Sequence, residues 1–269
     1  MRQYLNRRAL PLAVLVLTFS TWAVAVQNGT LDGNAHPAIG SLQASVGSDP
    51  CPLSNQADPE CSAVLIAPDL LLTTAECGNI LRDALAAGSV DHVWVDFNPD
   101  STLDCADFVA VDGSQIFVDP AFDPKREDAA NAAVLRLVAP LSTTPAALPT
   151  AGRIGTLPES QSYTVVSYGE LHPFGSSFLT DIKRRSASAS FQGLSSEILT
   201  LHLDTGPGSN NPCVAYSDRG GAAFLNGTNE AVALVVPSNE GLGCTSQSRY
   251  QRLDVPSVRN FLAGFVTLP

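Results

Sequence analysis

Residues 61–77 read CSAVLIAPDLLLTTAEC. An apolar run at 62–66 leads into Ala67-Pro68-Asp69, and a second apolar run at 70–72 leads into Thr73-Thr74-Ala75. Two short β-rich runs joined by a Pro-containing turn predict a compact antiparallel pair. A cysteine stands at each end, and Glu76 precedes the second one. Working outward, strand-like runs recur at 92–97 (HVWVDF), 163–169 (YTVVSYG), 198–203 (ILTLHL) and 233–236 (ALVV). In the third of these, Leu199, Leu201 and Leu203 share one face and Thr200 and His202 the other, the period of a half-buried strand. The 20 glycines and 19 prolines supply turns between such runs. Many short strands with regular punctuation predict an all-β sandwich or barrel.

Residues 139–160 (APLSTTPAALPTAGRIGTLPES) are rich in Pro, Thr and Ala, and read as a linker between two halves, 26–145 and 146–269. Only the extreme C-terminus carries a clear helical pattern. Val258, Phe261, Leu262 and Phe265 fall on one stripe, with Asp254 and Pro256 as opening residues.

The first 25 residues have a basic head (Arg2, Arg7, Arg8), an apolar run from 9 to 25, and Ala23-Val24-Ala25 at its end. This is the pattern of a secretory signal peptide; the competing reading, an uncleaved anchor, has to accept Pro11 in a run near the lower length limit. Cleavage after Ala25 leaves 244 of the 269 residues and takes the formal charge from −11 to −14. So acidic a chain lacks the basic footprint that nucleic acid and anionic membrane demand. All six cysteines (Cys51, Cys61, Cys77, Cys105, Cys213, Cys244) lie after residue 25. An even count in an exported chain predicts disulfides, and the absence of CxxC argues against a metal. His36, His92, His172 and His202 sit at no motif position and read as ordinary strand or surface histidines. Asn28-Gly-Thr30 and Asn226-Gly-Thr228 match N-glycosylation sequons, a pattern common by chance.

The 61–77 stretch resembles the segment of trypsin/chymotrypsin-like serine proteases that reads roughly C-S-G-T-L-I-S-P-x-x-V-L-T-A-A-H-C and ends in the catalytic histidine. That histidine falls on Glu76. The resemblance covers residues 26–266. It implies two antiparallel β-barrels closed by a C-terminal helix, and disulfides Cys61–Cys77 and Cys213–Cys244, with Cys51–Cys105 as the remainder. Val26-Gln-Asn-Gly is similar to the family's mature N-terminus, whose amino group pairs with an aspartate beside the nucleophile; Asp218 takes that place here. Val26 is equally readable as a frayed end. Residues 123–137 resemble the acid-loop signature, and its aspartate falls on Asn131; Asp128 is the alternative if the register slips. Residues 213–224 (CVAYSDRGGAAF) resemble C-x-G-D-S-G-G-P. Anchoring on Gly220-Gly221 puts Arg219 on the family's serine and Ser217 on its oxyanion glycine; anchoring on Cys213 puts Ser217 on the serine.

Serine-protease chemistry needs a hydroxyl nucleophile, a neutral imidazole base, an orienting carboxylate and N–H donors for the oxyanion. Glu76, Asn131 and Arg219 meet none of the first three needs. The expectation is therefore a secreted, monomeric, cofactor-free homologue without the triad, binding a protein or peptide in the cleft between the barrels. The alternative is a working serine endopeptidase that uses Ser217 with another base.

Overall fold

The computed structural model describes residues 26, 29–47, 61–100, 107–125, 129–168, 183–204, 212–214, 218–236 and 247–269. Residues 1–25, read above as a signal peptide, and Asn28, Cys51, Cys105, Asp128, His172, Ser217 and Cys244 lie outside them.

The opening motif folds as read. Strands β3 (Cys61–Ala67) and β4 (Leu70–Thr73) pair antiparallel across the Pro68-Asp69 turn. Together with β2 (Ile39–Ser45), β5 (His92–Asp96), β6 (Val109–Val118) and β7 (Ala133–Leu137) they close a six-strand barrel. The second barrel consists of β8 (Ser162–Ser167), β9 (Arg185–Leu194), β10 (Ile198–Leu203), β11 (Ala222–Leu225), β12 (Ala231–Val236) and β13 (Gln247–Arg252). It closes where β9 pairs with β8, and the two-residue β1 (Thr30–Leu31) adds to the outer side of β9. The fold is thus two closed antiparallel barrels, followed by a short helix, α2 (Pro256–Leu262).

The apolar runs are continuous rather than alternating because several strands are covered on both faces. β3 meets the second barrel at Ser62: the Ser62 N–H donates to Arg219 O (2.8 Å), and Ser62 Oγ accepts from the Tyr168 N–H (2.8 Å). One core fills the first barrel and continues into the junction through Val166, Tyr168, Ala222 and Phe224. A second core, which includes Val26, fills the other barrel.

Sequence reading missed a helix. Residues 75–87 form α1 (Ala75–Ala87), not an irregular extension of β4. Thr74 caps it by accepting from the Cys77 N–H (3.3 Å), and Gly88 ends it with φ of 66°, the left-handed turn that glycine adopts without penalty. The pattern is hidden because Gly78, a residue of poor helix propensity, stands in the first turn. A Cβ there would lie 2.5 Å from the Ala133 Cβ, so the close approach of α1 to β7 requires the glycine. A second correction concerns α2. Its stripe is right, with Val258 and Leu262 buried and Phe265 packed on Phe117 (5.1 Å), but Asp254 is not its cap. Val255 occupies that position, while Asp254 accepts from the Ile154 N–H (2.7 Å) and from Arg252 (2.9 and 3.0 Å). A buried carboxylate goes to the strongest donors within reach.

Cys61 and Cys77 are bonded, tying β3 to the first turn of α1, with Cα atoms 6.2 Å apart. Cys213 is also disulfide-bonded. The sequence separation in the first bridge is 16 residues, so converting both its cysteines to serine is expected to cost about 3 kcal/mol, measured by urea denaturation. A loss below about 1 kcal/mol would show that the unfolded chain is not held open by losing this link.

Between the barrels lies an ion network. Arg184 is fully buried. Its Nε donates to Asp32 Oδ2 (3.0 Å), its Nη1 to Ile39 O, Phe97 O and Tyr168 Oη (2.9, 3.1 and 3.1 Å), and its Nη2 to Gly33 O. Asp32 also accepts from the His36 main-chain N–H (3.0 Å) and from His36 Nδ1 (2.7 Å).

Candidate functional site at the junction of the barrels

Three chain segments meet beside the Cys61–Cys77 bridge. The first turn of α1 supplies Glu76. The residues leading into β7 supply Asn131, held because Ala133 registers with Thr73. The segment before β11 supplies Asp218, Arg219 and Gly220.

Arg219 Nη1 donates to Glu76 Oε1 at 2.9 Å. The Arg219 side chain is only 6% exposed and that of Glu76 23%, so the pair is largely shielded from solvent. Gly220 fixes the approach of this segment to β3. It has φ of 79°, and a Cβ there would lie 2.1 Å from Ser62 O and 2.2 Å from Thr73 Oγ1. The Gly220 N–H donates to Val235 O (3.1 Å) and the Gly221 N–H to Asp218 O (3.1 Å).

Asn131 is fully buried, but it does not offer its amide N–H to the Glu76 carboxylate. Its Oδ1 accepts from the Glu76 main-chain N–H (3.4 Å), and its own main-chain N–H donates to Gln251 Oε1 (3.0 Å). Its Nδ2 has no partner among the described residues. The reason is local. The first N–H groups of a helix lack intrahelical acceptors, and the amide oxygen turns to satisfy one of them.

Asp218 is fully buried and accepts from the Val26 main-chain N–H (3.1 Å) and from Ser167 Oγ. Val26 itself is buried in the second core. The structure therefore brings Val26 to Asp218 and Glu76 to Arg219. Sequence reading missed the residues that hold these groups: Ser62, Ser167 and Gln251 carry no motif, and only their position opposite one another in the fold identifies them. Among the described residues no cluster of His, Cys, Asp and Glu is arranged to hold a metal ion.

The profile of the family described as trypsin matches residues 34–258. The chain belongs to the trypsin family. The match begins in the N-terminal turn and runs into α2, so it spans both barrels and includes Glu76, Asn131 and Arg219. No curated protein matches the sequence. Among solved structures, HL collagenase superposes with a TM-score of 0.62 at 16% identity, covering 89% of this chain and 99% of its own. At that identity the likeness bears on the fold, and it agrees with the two-barrel architecture of the trypsin family.

Proposed function

We propose that this chain is a secreted, catalytically inactive member of the trypsin family that acts by binding a protein or peptide in the cleft between its barrels. The observation that carries the proposal is the Arg219–Glu76 ion pair, at the places where the family's motifs put nucleophile and base. A guanidinium stays protonated at any working pH and has no lone pair with which to attack a carbonyl. A carboxylate is too weak a base to activate a hydroxyl near neutrality and cannot relay a proton between two partners as imidazole does. Asn131 carries no charge to stabilise an imidazolium. Secretion is supported by the apolar, small-residue-terminated segment 9–25 and by the disulfide. Cleavage after Ala25 would turn the Val26 nitrogen that already faces Asp218 into a charged amino group, strengthening that contact.

The test is exposure of the purified protein to a fluorophosphonate probe and to peptide ester and amide substrates. No labelling and background hydrolysis are expected. Labelling and turnover that vanish together in Ser217→Ala would replace this reading with that of a working endopeptidase.

A further inference from the structure

A second polar concavity lies at the other end of β8 and β11. Val166 registers with Ala222 near Arg219, and Tyr163 with Leu225 at the far end, so the run of β11, roughly 10 Å, separates the two places. The groove has a volume of about 560 Å³, within the range of small-molecule sites. Its walls come from four separate stretches of chain: His36 from the N-terminal turn, Thr144 from the connection between barrels, Thr164 from β8, and Asn226, Thr228 and Asn229 from the β11–β12 hairpin.

We propose that this groove binds a neutral sugar unit of an oligosaccharide. The proposal rests on the lining and not on the reading of the cleft. Histidine apart, no lining residue is ionisable. The lining therefore gives a charged ligand no counter-ion apart from His36, and selects by hydrogen bonding instead. The nearby Glu230 is engaged by Arg153 at 3.4 Å. What the groove offers instead are hydroxyls and carboxamides, groups that both donate and accept, as sugar hydroxyls do.

These groups are held in place. Asn226 Nδ2 donates to Ser162 Oγ (3.2 Å), while its Oδ1 accepts from Thr164 Oγ1 (3.2 Å). Asn229 Nδ2 donates to Pro145 O (2.9 Å), and its Oδ1 has no partner among the described residues. Thr228 Oγ1 donates to Leu225 O (2.8 Å) and accepts from the Glu230 N–H (3.1 Å). Each carboxamide keeps a second N–H beyond the bond that fixes it. His36 is positioned in the same way. Its Nδ1 pairs with Asp32 Oδ1 (2.7 Å) and the ring packs on Phe224 (4.8 Å), so Nε2 is the ring nitrogen that Asp32 does not engage. A ligand meeting oriented groups loses less entropy on binding.

The protein is made in a host without N-glycosylation, so that Asn226 of the Asn226-Gly227-Thr228 sequon stays bare. Cellotetraose, xylotetraose, mannotetraose and chitotetraose are titrated by calorimetry, alongside tetragalacturonate and the end-capped peptide Gly-Ser-Gly-Ser. At least one neutral tetrasaccharide is expected to saturate, and Thr164→Val and Asn229→Ala are each expected to weaken it at least tenfold with the melting temperature unchanged. Asn229 is exposed, so its variant folds even if the other does not. The proposal is overturned if none of the four binds, or if binding survives both variants. It is equally overturned if tetragalacturonate or the peptide binds as tightly with the same dependence on these residues. Glu76→Gln is expected to leave sugar binding intact, which separates failure here from failure of the cleft reading.

Discussion

Arg184→Leu is expected to lose at least about 5 kcal/mol of unfolding free energy, enough to leave much of the protein unfolded at physiological temperature. The leucine fills part of the volume but none of the hydrogen-bonding demand. Asp32 keeps a charge in a side chain with no solvent exposure, and Gly33 O, Ile39 O and Phe97 O lose a donor. Each stranded acceptor costs about 1–3 kcal/mol, and the Asp32 charge, left with its His36 contacts alone, adds to that. Arg184→Lys should recover little, because a compact ammonium cannot reach five acceptors laid out for a planar fork. Urea denaturation followed by far-ultraviolet circular dichroism measures both. A loss under about 2 kcal/mol for the leucine variant would mean that the network relaxes around water.

The same network fixes an acid limb of stability. Burial by itself would raise the Asp32 carboxyl, but the His36 hydrogen bond and charge, with Arg184, outweigh it and hold the group below its ordinary value. A depressed folded-state value contributes stability above the unfolded carboxyl range near pH 3.9, and that contribution fades as pH falls through the lower folded value.

Glu76→Ala is expected to cost about 3 kcal/mol, the lower end of the range for stranding one partner of a buried ion pair. An exposed pair would contribute no more than about 1 kcal/mol, and the exposures of 6% and 23% decide between the two cases. Arg219 is the more enclosed partner, so removing the carboxylate leaves the charge with less water to turn to. The double variant Glu76→Gln with Arg219→Met is expected to be more stable than Glu76→Ala alone, since the stranded charge is gone. Additive losses across that cycle would show that the two side chains act independently.

The fold was legible because one stretch, 61–77, combines strand, turn, strand and two cysteines in a spacing that few other architectures use. The facing of Glu76 and Arg219 was legible only through that framework, since 143 residues separate them and neither carries a local signal. Helix α1 was not legible. Its interior glycine answers to β7 rather than to helix propensity, and a tertiary contact overrode the local pattern. The orientation of the Asn131 amide was equally hidden, because the choice between its oxygen and nitrogen depends on which helical N–H lies within reach. The Arg184 network joins residues 152 apart through main-chain carbonyls, which sequence cannot display. The groove draws on four segments, each of which reads as ordinary turn or strand.

The segments that flank the two barrels are crossed between them. β1 and Val26 belong to the second barrel by pairing and burial, although the chain runs on from them into the first. α2 follows the last strand of the second barrel, yet Val258, Leu262 and Phe265 pack into the core of the first. During synthesis β1 and Val26 must therefore wait for the strands of the second barrel, and the first barrel lacks the cover of α2 until the chain beyond β13 has been made.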